Sequence, residues 1–86
     1  MTVMFYGSVL DQTGGNKSLE LENTKTVSAL IDALAGLYGE SFKEYLLDDD
    51  TCFFLVNGKS ILATGGLDTP LSQDAKIEIL PVAEAG

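Results

Sequence analysis

The side chains that most often perform catalysis or bind metals are scarce in this chain of 86 residues. It contains no histidine and no arginine, and its one cysteine is Cys52. Without histidine, neither a Ser-His nor a Cys-His pair can form, and no imidazole can bind a metal ion. One cysteine excludes an internal disulfide and a cysteine-ligated zinc or iron–sulfur site. An enzyme acting on its own is therefore the least favoured interpretation.

Two short motifs suggest ion or phosphate binding, but their spacing argues against both. A calcium-binding loop that began at Asp48 would need Gly at position 53 and Glu at position 59, where the chain has Phe53 and Lys59. The run Gly58-Lys59-Ser60 ends like a phosphate loop, which would also require Gly at position 53 and a following helix. We interpret Asp48-Asp49-Asp50 as a solvated loop, and Cys52 beside it as a small buried hydrophobic residue.

The charge balance narrows the classes of partner. Thirteen acidic residues against five lysines give a formal net charge of -8. Such a chain repels nucleic acid and anionic membrane surfaces. It also has no signal-peptide pattern and no apolar run long enough to span a bilayer. The sequence thus predicts a cytoplasmic protein whose partners are neither nucleic acids nor membranes.

Hydrophobic periodicity predicts strands and one main helix. The expected strands cover residues 2–10, 17–22, 52–56, 60–63 and 76–80, and residues 41–47 are expected to form one or two further helical turns. The helix should begin at Thr26, whose hydroxyl can accept a backbone N–H, and end near Gly39. Its apolar residues recur every three or four positions and form one stripe. Asn57-Gly58 predicts a two-residue hairpin loop.

The order of these elements predicts an α+β fold of the β-grasp, or ubiquitin-like, type. One amphipathic helix must cover one face of a mixed sheet of four or five strands. Leu30, Ile31 and Leu34 of the helix should pack on the sheet. Their expected partners, or register neighbours of these, are Val3, Phe5, Leu19, Leu21 and Leu55. We predict a single domain over residues 1–86, with a flexible C-terminal tail from about residue 82.

The second face of the sheet is a candidate docking surface. If the residues that alternate with the core project outward, they form an apolar patch suited to a partner protein. These residues are Met4, Tyr6, Phe54, Leu80 and Val82. The alternative is that loops or the segment 41–47 cover some of them, because the register of the strands does not follow from the sequence.

Across its whole length the chain resembles the MoaD/ThiS family of ubiquitin-like sulfur-carrier proteins. The resemblance rests on the opening strand Val3-Met-Phe-Tyr-Gly7, the helix from Thr26 and the hairpin Leu55-Val-Asn-Gly58. It continues through Pro70-Leu71 and Asp74-Ala-Lys-Ile77 to Ile79-Leu-Pro-Val82 and a terminal glycine. The ending is more similar to the small subunit of molybdopterin synthase than to the thiamine-pathway carrier.

The resemblance implies a function carried by the C-terminus. In this family an adenylating enzyme uses ATP and Mg to activate the terminal carboxylate, here that of Gly86, which then becomes a thiocarboxylate. The sulfur is delivered to molybdopterin synthesis in the active site of the large synthase subunit. The carrier itself would bind no cofactor and would be the non-catalytic small subunit. Tyr6, Phe54, Leu80 and Val82 would contact the partners.

Two alternatives remain beside this interpretation. The chain could carry sulfur for another cofactor, such as the thiamine thiazole, or it could be a β-grasp interaction module without carrier chemistry. The tail differs from the family pattern, because Ala85 replaces the first glycine of the usual Gly-Gly pair. Ala83 and Glu84 also separate that pair from Pro81-Val82, where the family usually has one residue.

Overall fold

The computed structural model describes residues 1–82, which form five strands and three α-helices. In chain order they are β1 (Thr2–Phe5), α1 (Val9–Gln12), β2 (Ser18–Glu20), α2 (Val27–Tyr38), α3 (Glu40–Leu47), β3 (Cys52–Val56), β4 (Lys59–Ser60) and β5 (Lys76–Pro81). Short 3-10 helices cover Ile61–Ala63 and Gly66–Asp68. Within residues 1–82, no helix is both long and apolar enough to cross a membrane.

The five strands form one mixed sheet with the order β2-β1-β5-β3-β4. β1 and β5 are parallel, with Val3 opposite Ile77, whereas the other neighbours are antiparallel. The last strand, β5, therefore lies in the middle of the sheet and pairs on both sides. This arrangement confirms the predicted β-grasp fold.

The main helix, α2, covers one face of the sheet as its apolar stripe predicts. The Thr26 hydroxyl accepts a hydrogen bond from the Ala29 N–H at 3.2 Å, so the helix begins at the expected cap. Gly39, at φ 104°, ends α2 and starts α3. The predicted short helical segment is therefore a second helix of eight residues, which buries Phe42 and Leu46.

The core lies between these helices and the sheet. Leu30, Ile31 and Leu34 are buried in one cluster with Val3 and Phe5, as predicted. The expected sheet residues Leu19 and Leu21 are half-buried and pack against the same cluster. Leu55 was expected there too, but it lies on the opposite face, because Phe54 and Val56 on either side of it point to the core.

Three predicted strands are shorter than the periodicity suggested. The strand predicted over residues 17–22 covers only Ser18–Glu20, and the other two give way to helical turns. The first ends at Phe5, because Val9 N–H donates to Tyr6 O and Leu10 N–H to Gly7 O, which turn the chain into α1. Residues 60–63 were predicted as a strand but leave the sheet after Ser60. The Ser60 hydroxyl accepts from Leu62 N–H at 3.2 Å and begins a 3-10 helix there. Local side-chain and turn hydrogen bonds replace the ladder in both places.

The predicted Asn57-Gly58 hairpin joins β3 to β4. Both residues have positive φ, 52° and 85°, as a two-residue loop of this kind requires. Asn57 also binds the neighbouring strand β5: its N–H donates to Lys76 O at 2.8 Å, and its Oδ1 accepts from Lys76 N–H at 2.9 Å. The hairpin thus helps to hold β3 in register with the central strand.

Candidate functional site

The last described residues of the chain belong to, or directly follow, the central strand β5. β5 ends at Pro81, and the next residue, Val82, donates its N–H to Thr51 O at 3.0 Å. The Val82 side chain is 38% exposed. Ala85, Gly86 and the rest of the predicted tail lie outside the described residues. The last described residues are therefore held by a strand that is hydrogen-bonded on both edges.

The side of the sheet that faces away from α2 carries a half-buried apolar surface. Its residues alternate with the core positions of β1, β3 and β5, and the register of the strands brings them together. We call this surface the outer face and define it by Met4, Tyr6, Phe53, Leu55, Glu78 and Leu80. Leu80 lies opposite Phe53, and Glu78 lies between Met4 on β1 and Leu55 on β3.

Three of the four predicted contact residues lie where a partner could reach them. Tyr6 and Leu80 are half-buried on the outer face, and Val82 is exposed just beyond it. Their binding of a partner remains a prediction. Phe54 was wrongly placed: it is only 3% exposed, and its partner across the ladder, Ile79, is fully buried.

Phe53 occupies the outer position that was assigned to Phe54. The segment Cys52–Val56 is apolar throughout, so its sequence does not show which alternate residues face the core. The pairing of Phe54 with Ile79 determines that Phe54 faces the core. Ile79 itself faces the core because Ile77 and Ile79 alternate with the polar Lys76 and Glu78. The alternation of apolar and polar residues along β5 is visible in the sequence. It identifies the core-facing residues of β3 only when the β3–β5 register is also known.

Glu78 is the polar member of the outer face and was not singled out from the sequence. Its Oε2 accepts a hydrogen bond from the Tyr6 hydroxyl at 2.9 Å. This bond raises the pKa of Tyr6 above its ordinary value of 10.0, with further contributions from burial and from the negative charge of Glu78. Tyr6 is therefore a neutral hydrogen-bond donor at physiological pH.

The contacts of the acidic loop, Asp48-Asp49-Asp50, and of Cys52 are those of structural residues. Asp48 Oδ1 accepts from Asp50 N–H at 2.9 Å, which closes a local turn. In the described part of the chain, no three Asp, Glu, Cys or His residues are grouped to hold a metal ion. Cys52 is 3% exposed, and its thiol donates weakly to Tyr45 O and Leu46 O. Burial, with Asp48 and Asp49 nearby, raises the pKa of the Cys52 thiol from 9.0 to about 11.

We expect Cys52 in the folded protein to alkylate at least ~100-fold more slowly than in the unfolded chain near pH 8, because the raised pKa lowers the thiolate fraction by that factor. Iodoacetamide labelling followed by intact mass, with and without urea, measures both rates. The contribution of the protonated thiol to the free energy of unfolding should be fully present below pH 9 and should decline as the pH rises toward about 11. Equal rates in the two states would show that Cys52 is an accessible, reactive thiol.

The geometry described above is shared with known proteins. A family model described as the ThiS family matches residues 3–86. No curated protein matches the sequence significantly. Among solved structures, Mycobacterium tuberculosis CysO is 28% identical, with a TM-score of 0.79 over 93% of this chain and 96% of that one.

Two further structures extend the comparison. CysO in the Amycolatopsis orientalis BexX/CysO complex is 26% identical, with a TM-score of 0.80 over 93% of this chain and 92% of that one. A putative molybdopterin converting factor, subunit 1, from Pyrococcus furiosus is 22% identical, with a TM-score of 0.68 over 93% of each chain. At that identity the last comparison shows a shared fold.

Proposed function

The chain belongs to the ThiS family of ubiquitin-like sulfur-carrier proteins, and on that basis we propose that it carries sulfur as a thiocarboxylate on Gly86 for molybdopterin synthesis. The observation that supports this most directly is the family match itself, which extends to residue 86 and so includes the terminal glycine. The proposal is also supported by the central position of β5, which ends at Pro81, and by the half-buried apolar outer face, to which Leu80 on the same strand belongs.

The proposed chemistry needs only a carboxylate from this chain. One oxygen of the Gly86 carboxylate attacks the α-phosphorus of ATP, and pyrophosphate leaves, which gives an acyl adenylate. Sulfur from a sulfide-level donor then attacks the acyl carbon, and AMP leaves with that oxygen. An adenylating enzyme supplies the ATP, Mg and acid–base groups, which agrees with a chain that lacks histidine and arginine. The use of ATP favours the cytoplasm as the location.

The sulfur acceptor is proposed from the sequence ending, where Ile79-Leu-Pro-Val82 is similar to the small subunit of molybdopterin synthase. In that case the large synthase subunit accepts the sulfur-loaded tail. The two CysO structures favour a second candidate, a carrier of the same chemistry with a different acceptor, because their identity to this chain is higher than that of the molybdopterin converting factor.

The carrier function is tested by intact mass after incubation with a candidate adenylating enzyme, ATP and a sulfide donor. We expect the mass increase of one oxygen replaced by sulfur, localised to Gly86 by fragmentation. The loaded protein is then mixed with the large synthase subunit and a pterin precursor, and loss of the added mass that requires both identifies the pterin precursor as the sulfur acceptor. A chain that stays unmodified by an enzyme that activates other carriers in the same cell would favour the interaction-module alternative.

We expect Tyr6→Ala and Leu80→Ala each to weaken binding to the adenylating enzyme about tenfold or more, because both remove apolar contact area from the centre of the outer face. Titration calorimetry measures the dissociation constants. Leu62→Ala is the matched control, since Leu62 is 79% exposed and lies outside the outer face. Normal binding by both outer-face variants would place the docking surface elsewhere. Loss of the unfolding transition in both would assign these residues a core role.

A further inference from the structure

A carboxylate lies in the middle of the otherwise apolar outer face. Glu78 is half-buried on the central strand, opposite Met4 on one side and Leu55 on the other. Leu80 lies two residues further along the same strand, on the same side of the sheet. A partner that covered this apolar surface would therefore also remove water from the Glu78 carboxylate.

The chain provides Glu78 with a hydrogen bond but with no counter-charge. Tyr6 donates its hydroxyl proton to Oε2 and remains neutral. Lys76 lies two residues from Glu78 on the same side of β5, but it is exposed, and within residues 1–82 the structure shows no ion pair between the two. The ion pair that it does show, Lys43–Asp32 at 3.0 Å, lies away from the outer face. Oε1 and the second lone pair of Oε2 remain available to accept further hydrogen bonds.

Docking would change the energetics of this carboxylate. A carboxylate that loses water without gaining a cation strongly opposes burial, and one hydroxyl donor does not neutralise it. The domain has a net charge of -8 and no arginine, and Glu78 forms no ion pair within residues 1–82, so the partner is the more favourable source of the compensating cation. Guanidinium suits such a site better than ammonium, because it is less strongly hydrated, binds carboxylates through two donors and stacks on aromatic rings such as that of Tyr6.

We propose that Glu78 and Tyr6 together bind one arginine side chain of the adenylating partner, presented from within an apolar surface. The proposal rests on the proposed function, because it takes the outer face as the docking surface. It adds the chemistry of the partner: an apolar contact region that fits around Leu80 and Leu55 and contains a single guanidinium. In the complex that guanidinium pairs with Glu78, whose position is fixed by the Tyr6 hydroxyl.

The test compares two neutralised carboxylates on the same face of the sheet. Glu78→Gln keeps the size of the side chain and an acceptor for Tyr6 but removes the charge. Glu20→Gln is the matched control, because Glu20 also accepts a hydroxyl hydrogen bond, from Thr2 at 2.7 Å, but is exposed on the edge strand β2. Binding to an adenylating enzyme that activates the wild-type chain is measured by biolayer interferometry in physiological salt.

We expect Glu78→Gln to raise the dissociation constant about 30-fold or more, mainly through faster dissociation, because the partner's guanidinium is left buried without its counter-charge. Glu20→Gln should change it by less than about twofold, since an exposed charge contributes little. Matching unfolding transitions for both variants and the wild type establish that the fold is intact. Glu78→Asp, which keeps the charge but shortens the side chain, should recover part of the affinity.

Other outcomes separate this inference from the function on which it rests. If Glu78→Gln binds as tightly as the wild type or more tightly while Leu80→Ala binds weakly, the outer face docks the partner but no cation meets Glu78, and the inference is wrong. If neither variant alters binding although the wild-type chain is adenylated, the carrier function stands but the docking face lies elsewhere. If the wild-type chain is never adenylated, the carrier proposal fails, and this inference fails with it.

Discussion

Deletion of Gly86 is expected to reduce ATP–pyrophosphate exchange with the cognate adenylating enzyme to near background. In the proposed chemistry the terminal carboxylate becomes the acyl adenylate. The deletion shortens the tail by one residue and leaves Ala85 at the end, with a methyl group on the carbon next to the reacting carboxylate. A misfit that costs about 1.4 kcal/mol in the transition state already slows the step tenfold. Intact mass in the presence of a sulfide donor should show no sulfur-containing product.

Ala85→Gly should act in the opposite direction and increase the rate of exchange. It restores the usual Gly-Gly ending and removes both the methyl group and the restriction that it places on φ. Ala83→Gly, the same change further from the end, serves as the control and should have a smaller effect. If the chain without Gly86 is activated at the wild-type rate, the enzyme does not require Gly86, and the role proposed for this residue is wrong. If the wild-type chain itself supports no exchange with an enzyme that activates other carriers, the interaction module becomes the better interpretation.

The second large effect concerns the core. Leu34→Ala should lower the free energy of unfolding by ~2–5 kcal/mol, because Leu34 is fully buried between α2 and the sheet and its truncation leaves a cavity. Leu37→Ala is the control in the same helix: Leu37 is 56% exposed, and the change should stay within ~0.5 kcal/mol. Urea denaturation of both variants gives the comparison. A loss below ~1 kcal/mol for Leu34→Ala would contradict the role of α2 as the main core helix.

The parts of the fold that local signals specify could be predicted from the sequence. Thr26 begins α2 because its own hydroxyl satisfies a backbone donor of the first turn. Asn57 and Gly58 form the hairpin because both tolerate the positive φ that the loop needs. In each case the determining interaction lies within a few residues, so one sequence suffices to find it.

The outer face was less predictable because its composition depends on long-range pairing. Phe53 and Phe54 have the same side chain, and only the contact of β3 with β5 determines which of them faces the core. The importance of Glu78 was missed for the same reason. On β5 alone it resembles an ordinary solvent-exposed position that alternates with Ile77 and Ile79, and its apolar neighbours Met4 and Leu55 come from two other strands.

The role of the tail was predicted from the chemistry of its terminal carboxylate and not from its structure. The Gly86 carboxylate is predicted to be the reacting group because the family resemblance and the absence of histidine point to chemistry supplied by partner enzymes. Ala85 and Gly86 lie outside the described residues, so their roles remain predictions. The structure instead defines the point of departure, Val82, where the backbone N–H is bound to Thr51 O.

The central position of β5 has a consequence for the way in which the protein folds. Tyr6 and Glu78, which meet on the outer face, are 72 positions apart in the chain, so a very large loop must close before β1 and β5 can pair. Contacts of such long range slow folding. The outer face consequently forms only when β5 has paired with both β1 and β3. If the outer face is the docking surface, as proposed, folding and recognition are coupled: an unfolded or partly folded chain has the terminal carboxylate but not the surface that brings it to the enzyme. We therefore expect sulfur to be loaded selectively onto folded molecules.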